Sequence, residues 1–123
     1  MNSKEICHLI EDFLDSKKAQ DIVRIDLTGK SSMADFMIIA SGTSSRQIKM
    51  FAELLKEFLH KLGIQPIFME GLGACDWVLV DAGDVIIHLF RPEVREFYHL
   101  EKMWGVDLAD FARQVSARTT KED

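Results

Sequence analysis

The sequence predicts an α/β fold, a mixed β-sheet of about five strands flanked by helices. Three observations carry this. Two stretches, residues 3–18 and 44–62, repeat apolar side chains at helical spacing. Short runs rich in β-branched and aromatic residues fall at 21–27, 36–41, 65–70 and twice within 76–90. A helix between strands over residues 36–70 requires a parallel pair with a right-handed crossover, whereas the last two strands form an antiparallel hairpin. A sheet with both relations is mixed. No internal repeat is found.

Taken in order, residues 3–18 are predicted as an amphipathic helix capped by Ser3, with Ile6, Leu9, Ile10, Phe13 and Leu14 on its apolar face. Residues 21–27 alternate Val23, Ile25 and Leu27 with Asp21, Arg24 and Asp26, imperfectly, as in a half-buried strand. "FMIIAS" (36–41) is a continuous apolar run, as in a strand covered on both faces. Over 44–62, Ser44 and Gln47 supply a capping box, and Ile48, Phe51, Ala52, Leu55, Phe58, Leu59 and Leu62 supply a broad apolar stripe. Gly63 is placed to end that helix in the left-handed conformation. "QPIFME" (65–70) is a short strand that Pro66 demotes to an edge. After the hairpin, Pro92 starts a short helix through Phe97, "YHLEKMW" continues it to Gly105, and Val106, Leu108, Phe111, Ala112 and Val115 make a last short amphipathic helix before the fraying "SARTTKED".

With 123 residues the chain is predicted to form one domain. No apolar run approaches the roughly 20 residues of a membrane span, and the N-terminus lacks the pattern of a secretory signal, so a cytoplasmic location and no membrane partner are expected. Two cysteines, Cys7 and Cys75, fit small buried hydrophobes better than a disulfide or a metal pair. A net charge of −5, from 15 basic and 20 acidic residues, opposes phosphate-driven nucleic-acid binding and suits a basic protein partner.

The motifs that suggest enzyme chemistry lack their context. "GKSS" (29–32) has Arg24 where a phosphate loop needs its first glycine, and a strand follows where a helix should. "SGTSSRQ" (41–47) leads from a strand to a helix N-terminus, where free N–H groups favour anions, and is faintly like the glycine-serine turn of nucleotidyltransferases. Those enzymes need two acidic residues on the next strand; "QPIFME" offers only Glu70. The alternative function, a nucleotide-binding or nucleotidyltransferase-like enzyme using the turn Gly42 to Arg46, therefore has no catalytic acids. Asp81 and Asp84 are assigned to turn chemistry, and the four histidines have no metal-ligand spacing. No catalytic residue, metal or cofactor is expected.

"DWVLVDAGDVIIHLF" (76–90) is the stretch with most functional content. A four-residue loop from Asp81 to Asp84, with Gly83 left-handed, pairs Val80 with Val85, Val78 with Ile87, Trp77 with His88 and Leu79 with Ile86. A three-residue loop with a bulge shifts that register by one. In the first register one face carries Val78, Val80, Val85, Ile87 and Leu89. The other carries Trp77, Leu79, Ile86, His88 and Phe90, a mixture of apolar area and polar handles that suits a protein interface. A second core layer is the competing reading, because sheets between helices are apolar on both faces.

Together, "GKSSMADFMIIASGTSSRQ", "DWVLVDAGDVIIHLF" and "FYHLEKMWG" closely resemble the ribosomal silencing factor family of bacteria and organelles, over about Ile6 to Gly105. The resemblance implies a domain over 1–105 related to the nucleotidyltransferase fold without its catalytic acids, followed by the helix and tail of 106–123. It implies a non-enzymatic translation repressor that binds the large ribosomal subunit through its universal L-fourteen protein and blocks subunit joining when nutrients are scarce, and that forms a homodimer when free. By motif match, Trp77, Asp81, His88, Tyr98, Glu101 and Trp104 fall at the family's characteristic positions. With Leu79 and Phe90 from the mixed face they make the expected partner-binding set, and Trp77 is its expected anchor.

Overall fold

Five strands, numbered in chain order, hydrogen-bond in the order β1-β2-β5-β4-β3, with one helix before the first strand and a second between the second and third. The chain runs α1 (Ser3–Ser16), β1 (Gln20–Asp26), β2 (Phe36–Ser41), α2 (Ser45–Lys61), β3 (Phe68–Glu70), β4 (Trp77–Asp81) and β5 (Val85–Phe90). This computed structural model describes residues 1–30, 32 and 34–93. The helices expected after Pro92, the tail, and Tyr98, Glu101 and Trp104 lie outside the described residues.

The N-cap of α1 is Asn2, one residue before the expected Ser3. Asn2 Oδ1 accepts from the Glu5 N–H at 2.8 Å and the Asn2 N–H donates to Glu5 Oε1 at 3.4 Å, a reciprocal capping box that Ser3 could not form with an acid at the right spacing. The helix ends at Ser16, two residues short of the expected 18, because Lys18 is left-handed at φ +73°. Ser44 caps α2 as expected, accepting from the Gln47 N–H at 3.1 Å. Gln47 does not return to Ser44, however. Its Oε1 takes the N–H and hydroxyl of Thr43 instead, at 2.6 and 2.9 Å. Gly63, at φ +82°, closes the helix.

The imperfect alternation of β1 has a structural cause. Its pairing with β2 is irregular between Gln20 and Val23, and Asp21 sits at φ +50°, so Ile22 packs with the helices while Val23 and Ile25 are in register with Ile39 and Met37.

The parallel relation is real but joins different strands from those expected. β2 pairs in parallel with β5, and β3, the strand that follows α2, lies at the far edge, separated from β2 by the whole hairpin. Strand composition explains the order. All six residues of β5 and four of the five in β4 are buried, which suits the interior of the sheet, whereas β3 has three residues, none fully buried, and follows Pro66.

Both helices pack on one face of the sheet. Cys7, Ile10 and Leu14 of α1 and Ile48, Phe51, Ala52, Leu55 and Leu59 of α2 meet Ile38, Ala40, Val78, Val80, Val85, Ile87 and Leu89, all buried. Full burial of one such aliphatic or aromatic side chain contributes about 1.5–3 kcal/mol. The opposite face holds a second apolar cluster of Leu27, Ala34, Met37, Ile39, Trp77, Leu79, Ile86 and Phe90, to which neither helix contributes.

Candidate functional site

The register across the sheet lays the side chains of this second face in ranks, because directly paired residues point the same way. One rank reads Ile25, Met37, Ile86, Asp81, Phe68 from β1 to β3. The next reads Val23, Ile39, His88, Leu79, Glu70, and a third holds Ser41, Phe90 and Trp77. Exposure is lowest in the middle of the ranks and rises toward β3. Met37, Ile39, Ile86 and His88 are fully buried, Asp81 and Glu70 are half-buried, and Phe68 is 62% exposed.

The hairpin that supplies half of this face pairs differently from expectation. Trp77 lies opposite Phe90, Val78 opposite Leu89, Leu79 opposite His88 and Val80 opposite Ile87, two positions away from the predicted pairing of Val80 with Val85 and Trp77 with His88. The cause is at the tip. Ala82 stays in the ladder, its N–H donating to the Val85 carbonyl at 3.0 Å, so the loop is only Gly83 and Asp84. Gly83 takes φ +87° at the first loop position, where type II′ hairpins favour glycine. The Asp81 carboxylate accepts the Gly83 N–H at 2.9 Å, the turn role assigned to it. The Asp84 carbonyl then accepts the N–H groups of Asp35 and Phe36, at 2.8 and 3.2 Å, tying the tip to the start of β2.

Trp77 and His88 nevertheless meet, diagonally. The indole N–H donates to His88 Nδ1 at 2.8 Å in a buried bond, which requires Nδ1 to carry no proton. The Trp77 ring also lies 4.6 Å from that of Phe90, tilted by 35°. Beneath the start of β4, Gly71 (φ +88°) lets the chain pass against the Trp77 carbonyl, in space that a Cβ would occupy. The same loop holds Cys75 left-handed at φ +56°, its thiol donating to the Leu72 carbonyl at 2.9 Å. Burial pushes that thiol's pKa up.

Of the expected set, Trp77 (6% exposed), Leu79 (2%), His88 and Phe90 (both 0%) are brought together as a packed layer, and Asp81 stands at its rim. Phe68 and Glu70 were absent from the set, yet they end the Asp81 and Leu79 ranks. The signal was in the sequence. Period-two alternation in the strand containing "FME" puts residues 68 and 70 on one face, and an edge strand leaves that face open.

The turn before α2 is packed for structure. A Cβ on Gly42 would meet Ile48 Cγ1 at 2.9 Å, so the glycine lets the strand approach the helix. The N–H groups of Thr43 and Gln47 are taken by Gln47 and Ser44. Ser45 Oγ donates to Asp76 Oδ1 at 3.4 Å, and Arg91 Nε lies 3.3 Å from that same oxygen, so a carboxylate stands where an incoming phosphate would approach. In "GKSS", Gly29 (φ +79°) belongs to a turn in which the Lys30 N–H donates to the Leu27 carbonyl at 2.8 Å. Among the described residues no three His, Cys, Asp or Glu side chains are grouped to hold a metal, and no helix is long and apolar enough to cross a membrane.

Comparison with known proteins agrees with the fold and the motifs. A crystal structure of a Chromobacterium violaceum protein superposes with a TM-score of 0.82 at 37% identity, covering 87% of this chain and 89% of that one. The ribosomal silencing factor of Zymomonas mobilis is 56% identical over 97 residues, 79% of this chain and 73% of its own length. A mouse protein named for mitochondrial assembly of the ribosomal large subunit is 37% identical over 119 residues, 94% of this chain and 52% of its own. The family described as "Ribosomal silencing factor during starvation" matches residues 1–123. A match of that extent makes this chain a member of the ribosomal silencing factor family.

Proposed function

We propose that the protein is a non-enzymatic translation repressor that binds the large ribosomal subunit through its universal L-fourteen protein and sterically blocks joining of the small subunit. The family match over the whole chain carries this reading. The surface assigned to the partner is the open end of the mixed face. Trp77, Leu79, His88 and Phe90 form its packed floor and Asp81 its rim, and Tyr98, Glu101 and Trp104 belong to the same proposed set by motif match alone. Trp77 anchors the surface from beneath, holding the β4 strand that presents Asp81. The net charge of −5 favours encounter with a basic protein and disfavours direct nucleic-acid specificity. A folded body on the joining surface is sufficient for repression, and no cofactor is needed.

The test is a lysate fractionated on a density gradient after nutrient limitation, at a magnesium concentration that keeps joined ribosomes intact. The protein is expected with free large subunits, and its presence on joined ribosomes contradicts the block. The mouse relative's name supports a second reading, a role in large-subunit assembly. That role predicts immature large subunits in a deletion strain growing in rich medium, whereas a repressor alone predicts mature subunits joined in excess during starvation. We assign the protein to the cytoplasm and to a homodimer when free, the dimer being measurable by sedimentation equilibrium.

A further inference from the structure

The aromatic side chain that the sequence offers as the partner's anchor, Trp77, is 6% exposed, whereas Phe68 on the edge strand is 62% exposed. Among the described residues no other phenylalanine or tryptophan is exposed. Phe68 ends the rank that contains Asp81, directly paired with it, and Glu70 ends the rank that contains Leu79. Asp84 is exposed at the hairpin tip three residues beyond Asp81. Glu70 and Asp84 make no ion pair among the described residues, and Glu70 Oε2 is buried with no hydrogen-bond partner there. The edge therefore presents an aromatic ring paired with the half-buried Asp81, with the half-buried Glu70 two residues along the same strand.

We propose that Phe68 is the aromatic anchor of the partner-binding edge and that it seats against an apolar, arginine- or lysine-bearing surface of the large-subunit protein. This rests on the function proposed above and adds a residue and a partner chemistry to it. The complementarity is specific in kind. A cation that approaches the face of the ring meets the ring quadrupole, while its charge is answered by Asp81 and Glu70. RNA is disfavoured at the same place, because its phosphates would face those carboxylates. The edge position matters as well. β3 has only three residues and follows Pro66, so the strand offers little ladder to a second copy and leaves the side chains to carry recognition.

The experiment is sedimentation of the labelled full-length protein with purified large subunits over a concentration series, at two salt concentrations. Phe68→Ala and Phe68→Lys are compared with Met50→Ala, an exposed position on α2 on the other side of the sheet. The expected result is a roughly thirtyfold loss of affinity for Phe68→Ala, a larger loss for Phe68→Lys, and no change for Met50→Ala, with urea midpoints unchanged throughout. Wild-type binding with Phe68→Ala equally tight overturns the anchor and leaves the proposed function standing. Failure of the wild type to bind large subunits overturns both. If Phe68→Ala dissolves a dimer while ribosome binding is intact, the edge serves a second copy and the proposal is wrong. It is equally wrong if the affinity lost is for protein-free ribosomal RNA.

Discussion

Trp77 and His88 sit diagonally across the β4–β5 ladder, two residues out of direct register, and a 2.8 Å bond from the indole N–H to Nδ1 joins them inside the second apolar layer. Replacement of Trp77 by Phe keeps most of the ring but removes the donor and strands a buried acceptor. The expected cost is about 1–3 kcal/mol in urea unfolding. Trp77→Ala adds a cavity, for a total nearer 3–5 kcal/mol. A Trp77→Phe protein as stable as the wild type would show that the bond contributes nothing.

The carbonyl of Trp77 faces Gly71, which is left-handed and has no room for a side chain. Gly71→Ala is therefore expected to lower stability by at least about 2 kcal/mol, combining a strained φ with a steric clash against backbone. Gly63→Ala, also at positive φ but with nothing near its Cβ, isolates the conformational part and is expected to cost about 1 kcal/mol. Equal effects at the two positions would rule out the close approach.

At the start of α1, Asn2→Ala is expected to cost about 1 kcal/mol and Ser3→Ala within about 0.5 kcal/mol of nothing. Thermal unfolding of the two variants separates the observed cap from the one the sequence first indicates. The reverse ranking would move the cap back to Ser3.

Cys7 lies fully buried on the inner face of α1, and burial, reinforced by the nearby Glu11 carboxylate, pushes its thiol pKa up from 9.0 to about 12. The folded thiol keeps its proton in a range where the unfolded one has lost it. Stability is unaffected by this group below about pH 9 and falls as pH rises from about 9 to about 12. The protected thiol is also a poor nucleophile. Alkylation at pH 8 is expected to modify Cys7 only at the rate of unfolding, a prediction that rapid native-state labelling in a Cys75→Ser background would refute.

How much of this was legible in the sequence depends on which physical signal fixes each feature. Both long helices and all five strands follow from apolar periodicity, and the two faces of the hairpin were assigned correctly although its pairing was not. A two-residue error in register preserves the alternation of side chains, so every residue keeps its face while every partner changes. The missing information was local. Whether Gly83 leads or follows in the loop is decided by its own conformation and by the Asp81 carboxylate, neither of which leaves a trace in hydrophobicity. Strand order was lost for a different reason, since periodicity says which strands are buried but not which neighbour each one finds across the sheet. Trp77 was ambiguous from the start. An aromatic ring with one polar atom suits both an interface and an interior hydrogen bond, and His88 supplied the second.

The placement of β5 between β2 and β4 also sets the order in which the protein can be completed during synthesis. Residues through Lys61 bring α1, β1, β2 and α2 together, but the inner edge of β2 waits for a strand that ends at Phe90. The β4–β5 hairpin is built from contacts close in sequence, and the Asp84 carbonyl ties its tip to the amides of Asp35 and Phe36. Until β5 is in place the emerging chain carries an open parallel edge beside a finished antiparallel one. A chain stopped before β5 would hold β1 paired with β2 and β3 with β4, and no strand to join the two pairs into one sheet.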